Sequence, residues 1–339
     1  MNVPNMLFHT TGLTRTLLAA AVVLVGALLV AGCTGTGNGP ATQAPTAAPT
    51  SATTSITSPV TTVAMTTPTP EGTAPAAETT TPASSGTASG RISVTGSTTV
   101  LPIAQKLADR FMELNPKADI RVSGGGSGVG VTSAGERTAE IGMSSRDLKD
   151  AERTKYPGLK EIPIARDGIA VITHPSNGVP SLSLDQIKSI YAGKATNWKD
   201  VGGKAQPIVV IGRDSASGTR EFFNEKVMGK EATTKAMLEK NSNGAVKTSI
   251  GPNPGSIGYV GLGYIDESVR AVAISVNGTP VEPTVENIVK GTYPLSRKLY
   301  FVTNGDATGL AKEFIDFSLS PEGQAIVEAE GFVSITHTA

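Results

Sequence analysis

The chain has 339 residues, with 29 Lys plus Arg balanced by 29 Asp plus Glu. A surface built for nucleic acid carries a basic excess, so formal neutrality argues against that class of partner. Three histidines and a single cysteine argue against a zinc site, rule out a disulfide within the chain, and leave no residue set that calls for a metal or cofactor.

At the N-terminus Arg15 precedes an apolar run, Leu17 to Val30, that is short for a membrane span and ends in Val30-Ala31-Gly32-Cys33. A small pair directly before cysteine is a lipobox. Residues 1–32 therefore read as a lipoprotein signal peptide and Cys33 as the lipidated first residue of the mature chain. That would hold the protein at the outer face of the cytoplasmic membrane. Residues 33–90 are rich in Thr, Pro, Ala and Ser, with Glu71 and Glu78 as acids and no apolar period. Such a stretch cannot bury enough surface to offset its chain entropy and reads as a disordered tether.

The globular part starts near Arg91 and leaves roughly 250 residues, enough for two lobes of ordinary domain size. Ile92-Ser93-Val94 alternates as a strand, Gly96-Ser97-Thr98-Thr99 turns, and Leu101 to Leu114 repeats its apolar residues at helical spacing with Pro102 in the first turn. Asp119 to Ser123 is a second strand, followed by Gly124-Gly125-Gly126-Ser127-Gly128-Val129-Gly130. Glycines this dense let main-chain N–H groups approach an anion. The nucleotide-binding P-loop pattern fails there because Val131 stands where lysine is required. Ala139 to Met143 is a third strand, ending in Ser144-Ser145-Arg146-Asp147, where Arg146 offers its fork either to a ligand or to Asp147 or Asp150. Glu161 to Ile172 reads as a long strand interrupted at Asp167-Gly168, the pattern of a hinge between lobes, with the glycine absorbing the dihedral change.

In the second lobe, Ser183 to Tyr191 is a helix stopped by Gly193, and Trp198 reads as a core anchor. Ile208 to Ile211 is a buried strand and Glu221 to Val227 the first turns of a helix. Between them Arg213-Asp214-Ser215-Ala216-Ser217-Gly218-Thr219 forms a loop of small hydroxyl residues with one arginine. That composition suits an oxyanion, although a Ser/Thr cap on an ordinary helix would look the same. Pro254 to Val260 turns into another buried strand. Ala271 to Val276 is followed by the turn signal Asn277-Gly278, and the chain is expected to return to the first lobe near there. A late strand at Leu299 to Val302 and helices over Leu310 to Leu319 and Pro321 to Glu330 close the fold.

Gly96-Ser97-Thr98-Thr99-Val100-Leu101-Pro102, Gly126-Ser127-Gly128, Ile141 to Arg146, Ile190-Tyr191-Ala192-Gly193 with Asn197-Trp198, Ser217-Gly218-Thr219-Arg220, Gly255 to Tyr259 and Ser320-Pro321-Glu322-Gly323 occur in this order. Together they resemble the PstS-like phosphate-binding proteins of ABC importers, over residues 91 to about 335. The resemblance implies an α/β, two-lobed periplasmic-binding-protein-like (type II) fold. Two strand crossovers would form its hinge, with lobe 1 at 91–168 and 268–339 and lobe 2 at 169–267. It further implies inorganic phosphate held between the lobes and delivered to an ABC permease with its ATPase. The ligand-binding residues carried over are Ser97, Thr98, Thr99, Ser127, Gly128, Ser145, Arg146, Arg213, Ser217, Gly218 and Thr219; which hydroxyl of the first three contacts phosphate stays open. A monomer, anchored to the membrane by lipid alone, is expected.

Where some members place an aspartate that accepts a proton from phosphate, this chain has Ser145. Asp214 or Asp147 could accept that proton instead, or Asp214 could orient Arg213 by a salt bridge. The alternatives are therefore another tetrahedral oxyanion (sulfate, molybdate or tungstate) or a phosphate-sensing surface module without transport. A serine hydrolase needs a histidine, and beyond the signal peptide only His174 and His337 remain, neither in a hydroxyl loop. No enzyme activity is expected.

Overall fold

The structure is a computed structural model and describes residues 88–336. The expected signal peptide, Cys33, the tether through residue 87 and His337 lie outside these residues.

The first half alternates strand and helix: β1 (Ser89–Gly96), α1 (Leu101–Leu114), β2 (Lys117–Gly124), α2 (Ser127–Gly135), β3 (Ile141–Ser144), α3 (Asp150–Lys155) and β4 (Leu159–Thr173). β1 pairs in parallel with β2 and β3. Such pairing needs helical crossovers, and α1 and α2 supply them. α1 buries Ile103, Ala104, Leu107, Ala108 and Phe111 on one side. These residues join Ile92, Val94, Ile120, Phe301 and Phe314 in one core, while Val131, Ala134 and Leu148 fill a smaller core with Val302.

The second half runs through β5 (Ser181–Ser183), α4 (Leu184–Tyr191), β6 (Val209–Arg213), α5 (Gly218–Phe223), β7 (Leu238–Lys240), α6 (Asn243–Ile250), β8 (Ser256–Gly261), β9 (Arg270–Val276), β10 (Thr279–Val281) and α7 (Val285–Val289). Ser183 caps α4 by accepting from Gln186 N at 3.1 Å, and the Gln186 side chain returns a bond to Ser183 N at 2.9 Å, a capping box. Trp198 is the core anchor the sequence suggests: it is buried, and its Nε1 donates to Gly255 O at 2.9 Å. After α5 the helix widens into a π turn over Asn224–Met228.

β11 (Ser296–Asn304), α8 (Gly309–Leu319) and α9 (Pro321–Ala329) complete the first half. The strands follow the order β2-β1-β3-β11-β4-β8-β6-β7. β4 is the strand that joins the halves. Its residues Leu159 to Gly168 pair with β11, and Ile169 to Thr173 pair with β8.

Two expectations change. The long strand is not interrupted at Asp167-Gly168; β4 is continuous, and Gly168 has no left-handed φ. Glycine is needed there for space, since a Cβ would lie 2.7 Å from Ile288 Cδ1. The return to the first half also falls later than residue 268. β9 pairs with Val171 to Thr173 of β4, and Ile288, Tyr293 and Leu295 belong to the same hydrophobic core as Trp198, Phe223 and Tyr259 of the second half. Asn277 and Gly278, with φ of 50° and 82°, turn β9 back onto β10 as a hairpin inside the second half. The chain crosses back only at Ser296 and Arg297, where β11 begins.

Candidate functional site

Four loops that follow strands β1, β2, β3 and β6 meet where the two halves face each other. Ser97, Thr98, Thr99, Ser127, Ser145, Arg213, Ser217 and Thr219 are all buried there. Buried hydroxyls need partners; Thr98, Thr99 and Thr219 find one across the divide, while Ser97, Ser127, Ser145 and Ser217 find one within their own half. Thr99 Oγ1 lies 3.0 Å from Thr219 Oγ1. Gly128 N donates to Ala216 O at 3.1 Å, and a Cβ on Gly126 would sit 2.5 Å from the same oxygen. A Cβ on Gly218 would overlap Ser127 Oγ. Glycine at 126 and 218 is thus what lets the halves touch.

The glycine-rich stretch divides into two parts. Gly125 and Gly126 take left-handed φ values of 146° and 96°, whereas Ser127 already opens α2. Ser127 Oγ accepts from Ser145 N at 3.0 Å and lies 3.2 Å from Ser145 Oγ, which ties the second loop to the third. Ser217 serves as the cap of α5, accepting from Arg220 N at 3.2 Å. The acceptor role of its oxygen leaves the hydroxyl hydrogen for another group.

Arg213 ends β6. Its Nε and Nη2 donate to the carbonyls of Lys240 and Asn241, each at 3.2 Å, which fixes the guanidinium plane. Its main-chain N donates to Tyr259 Oη at 3.2 Å, and burial pushes that phenol up to about 12, so it stays protonated. Burial also holds Arg213 below the ordinary arginine value, against the opposing pull of Asp214. A buried guanidinium with no carboxylate within salt-bridge distance among the described residues is charge held ready for an anion.

Arg146 and both candidate proton acceptors are placed differently. The Arg146 guanidinium pairs with Glu152 at 2.7 Å and with Glu221, and donates to Asp147 O at 2.8 Å. Its donors are committed to carboxylates, and through Glu221 it bridges the halves. Lys149 joins the same bridge at 2.8 Å from Glu221. Asp147 accepts from Tyr300 Oη at 2.5 Å. Asp214 makes no salt bridge to Arg213, and its Oδ1 is a buried acceptor without a hydrogen-bond partner.

Several residues at the site carry no loop signature. Asn243, at the start of α6, donates from Nδ2 to Thr98 Oγ1 at 3.1 Å and Thr99 Oγ1 at 3.0 Å, and accepts from Gly261 N at 3.2 Å. Tyr264 Oη donates to Thr98 O at 2.5 Å. Arg297 and Asp167, opposite each other on the crossover strands, form a buried ion pair at 2.7 Å. Burial pushes the Asp167 carboxyl up, and the neighbouring Arg297 charge opposes the rise. Arg297 Nη2 reaches on to Thr99 Oγ1 at 3.2 Å.

Among the described residues there is no group of three or more His, Cys, Asp or Glu able to hold a metal ion. Among the described residues His174 pairs only with Ser176, two residues along, at 2.7 Å.

Residues 81–322 match the family model described as a PBP superfamily domain. The phosphate-binding protein PstS of Bacillus subtilis is 36% identical over 250 residues, covering 74% of this chain and 82% of that protein. A protein from Clostridium perfringens, assigned as the substrate-binding protein of a phosphate ABC transporter and solved with bound phosphate, shares 42% identity with a TM-score of 0.69. The match covers 73% of this chain and 100% of that one. An ABC-type phosphate transport receptor from Vibrio cholerae shares 33% identity with a TM-score of 0.60, over 71% of this chain and 99% of the other.

Proposed function

The chain belongs to the PBP superfamily and, within it, to the PstS phosphate-binding proteins, and on that footing we propose that it captures inorganic phosphate between its two halves. The observation that carries the reading is the convergence of buried hydroxyls and the buried Arg213 from loops of both halves. A dianion gives up a large hydration energy on entering such a site. Charge-assisted hydrogen bonds of about 1.5–3 kcal/mol each offset it, and exclusion of water strengthens every contact.

The ligand set proposed is Ser97, Thr98, Ser127, Ser145, Arg213, Ser217, Gly218 and Thr219; Gly128, whose N–H is given to Ala216 O, and Arg146 join the halves rather than hold the anion. Asp214 Oδ1, the buried acceptor without a partner, gives protonated phosphate an advantage that fully ionised sulfate cannot match. Asp147 is already engaged by Tyr300.

Delivery to an ABC permease and its ATPase, lipid anchoring through Cys33 and work on the outer face of the cytoplasmic membrane as a monomer complete the proposal. A ligand that binds only the folded state stabilises it, by about 2.7 kcal/mol at a hundred times its dissociation constant. Thermal unfolding followed with rising phosphate should therefore show a climbing midpoint, with sulfate far less effective. A midpoint indifferent to phosphate refutes the reading.

A further inference from the structure

The hydrogen bonds around Thr99 fix the direction in which hydroxyl hydrogens run. A threonine oxygen has two lone pairs and one hydrogen. Thr99 Oγ1 receives Asn243 Nδ2 at 3.0 Å and Arg297 Nη2 at 3.2 Å, so both lone pairs are filled. Neither donor can reverse its role, because an amide NH₂ and a guanidinium have hydrogens only. The contact with Thr219 Oγ1 at 3.0 Å must then be a donation from Thr99. Thr219 Oγ1 receives that hydrogen and has no other hydrogen-bond partner among the described residues, which leaves its own hydrogen for a further acceptor.

We propose that Thr99 is not a ligand contact but a positioning residue, which together with Asn243 and Arg297 forces the Thr219 hydroxyl to donate toward the bound anion. The inference rests on the oxyanion-binding reading. Asp167 completes the arrangement: its Oδ2 accepts Arg297 Nε at 2.9 Å and Nη2 at 2.7 Å, and its Oδ1 accepts Leu262 N at 2.9 Å. The guanidinium therefore has a single orientation. Asn243 is held as firmly through Gly261 N at 3.2 Å. In the first loop, Ser97 Oγ is an acceptor for Thr99 N at 3.2 Å. Thr98 Oγ1 receives Asn243 at 3.1 Å, and its hydrogen is uncommitted, so Thr98 is the threonine of that loop left to meet the ligand.

A fixed donor favours an unprotonated anion oxygen at that corner, whereas a hydroxyl free to turn would also accept a proton from the ligand. Thr99→Val keeps the shape and removes the relay, so Thr219 can turn. Calorimetric titration of the full chain with inorganic phosphate, on both sides of the second phosphate ionisation, tests this. Thr99→Val should weaken binding about ten-fold where the dianion prevails and clearly less where the monoanion prevails. Thr99→Ser, which keeps the hydroxyl, should restore both the affinity and its pH profile. A melting curve without phosphate checks that each variant is folded. Equal weakening at both pH values, or no weakening in a folded Thr99→Val protein, overturns the relay while phosphate binding by the parent stands. A parent that takes up no phosphate removes the oxyanion reading, and the relay with it.

Discussion

Arg213 bears the charge on which a neutral set of hydroxyls depends, and its carbonyl anchors at Lys240 and Asn241 hold it without neutralising it. Replacing it with alanine should weaken phosphate binding about a hundred-fold, the value of one or two charge-assisted hydrogen bonds. Calorimetry would show this, and the melting temperature without ligand should change little or rise, since a buried charge is removed. Gly218 makes a different demand. A methyl group there runs into Ser127 Oγ and lies 2.7 Å from Ser127 Cβ, on the opposite half. Gly218→Ala should hold the halves apart and weaken phosphate binding at least about ten-fold, in line with an overpacking cost of about 1–3 kcal/mol. The midpoint of unfolding without phosphate should stay close to the parent's.

At the scale of elements, the crossover strands carry the largest structural liability. Asp167 and Arg297 lie 130 residues apart in sequence and are both buried at the join of the halves. Removing one partner strands the other charge away from water, so Asp167→Ala should cost about 3–5 kcal/mol in chemical denaturation. The link between α6 and β9 gives a pH test. Asp266 is lowered from 3.8 to about 2, first by the hydrogen bond from Lys247 and then by those from Ser268. Its folded value is below its unfolded one, so its contribution is complete above the unfolded value and is lost as pH falls between the two. Asp266→Asn should lower the unfolding midpoint slightly at neutral pH, where the parent's contribution is complete, flatten the stability loss in that acid window and converge with the parent below it, as read from unfolding midpoints from neutral to acid pH.

The same scale shows what sequence can reveal. The strand and hydroxyl-loop units around Ser97, Ser127, Ser145 and Ser217 were legible because each is local, an alternation or apolar run followed by small residues; helical spacing marked the helices after Ser97 and Ser217, whereas the glycines around Ser127 hid the helix that it opens. Asn243, Asp167 and Arg297 were not legible as site residues, because they lie within a helix start and two strands and acquire meaning only through partners far along the chain. The turn at Asn277-Gly278 was recognisable, but its consequence was not. A tight turn says that the chain reverses, not which sheet receives the next strand, and here β10 folds back on β9. Arg146 was legible as an arginine beside hydroxyls, while the carboxylates that claim it, Glu152 and Glu221, are supplied by helices the loop pattern does not mention.

Over the whole molecule, the halves are joined by β4 and β11, by the hydroxyl contacts at the site, and by the charged bridge of Arg146 and Lys149 to Glu221. Lys149 is half exposed at 51%, so part of this bridge is screened by salt and contributes modestly. Glu221→Gln should lower phosphate affinity a few-fold, roughly the value of a surface ion pair, and reduce its dependence on ionic strength. Titration at low and high salt would reveal both effects. Whether the two halves close on one phosphate ion without metal is decided by calorimetric titration of the metal-free chain with phosphate and, separately, with sulfate. One phosphate per chain should bind tightly, with sulfate much weaker. Absence of phosphate binding, or sulfate bound as tightly as phosphate, would contradict this expectation.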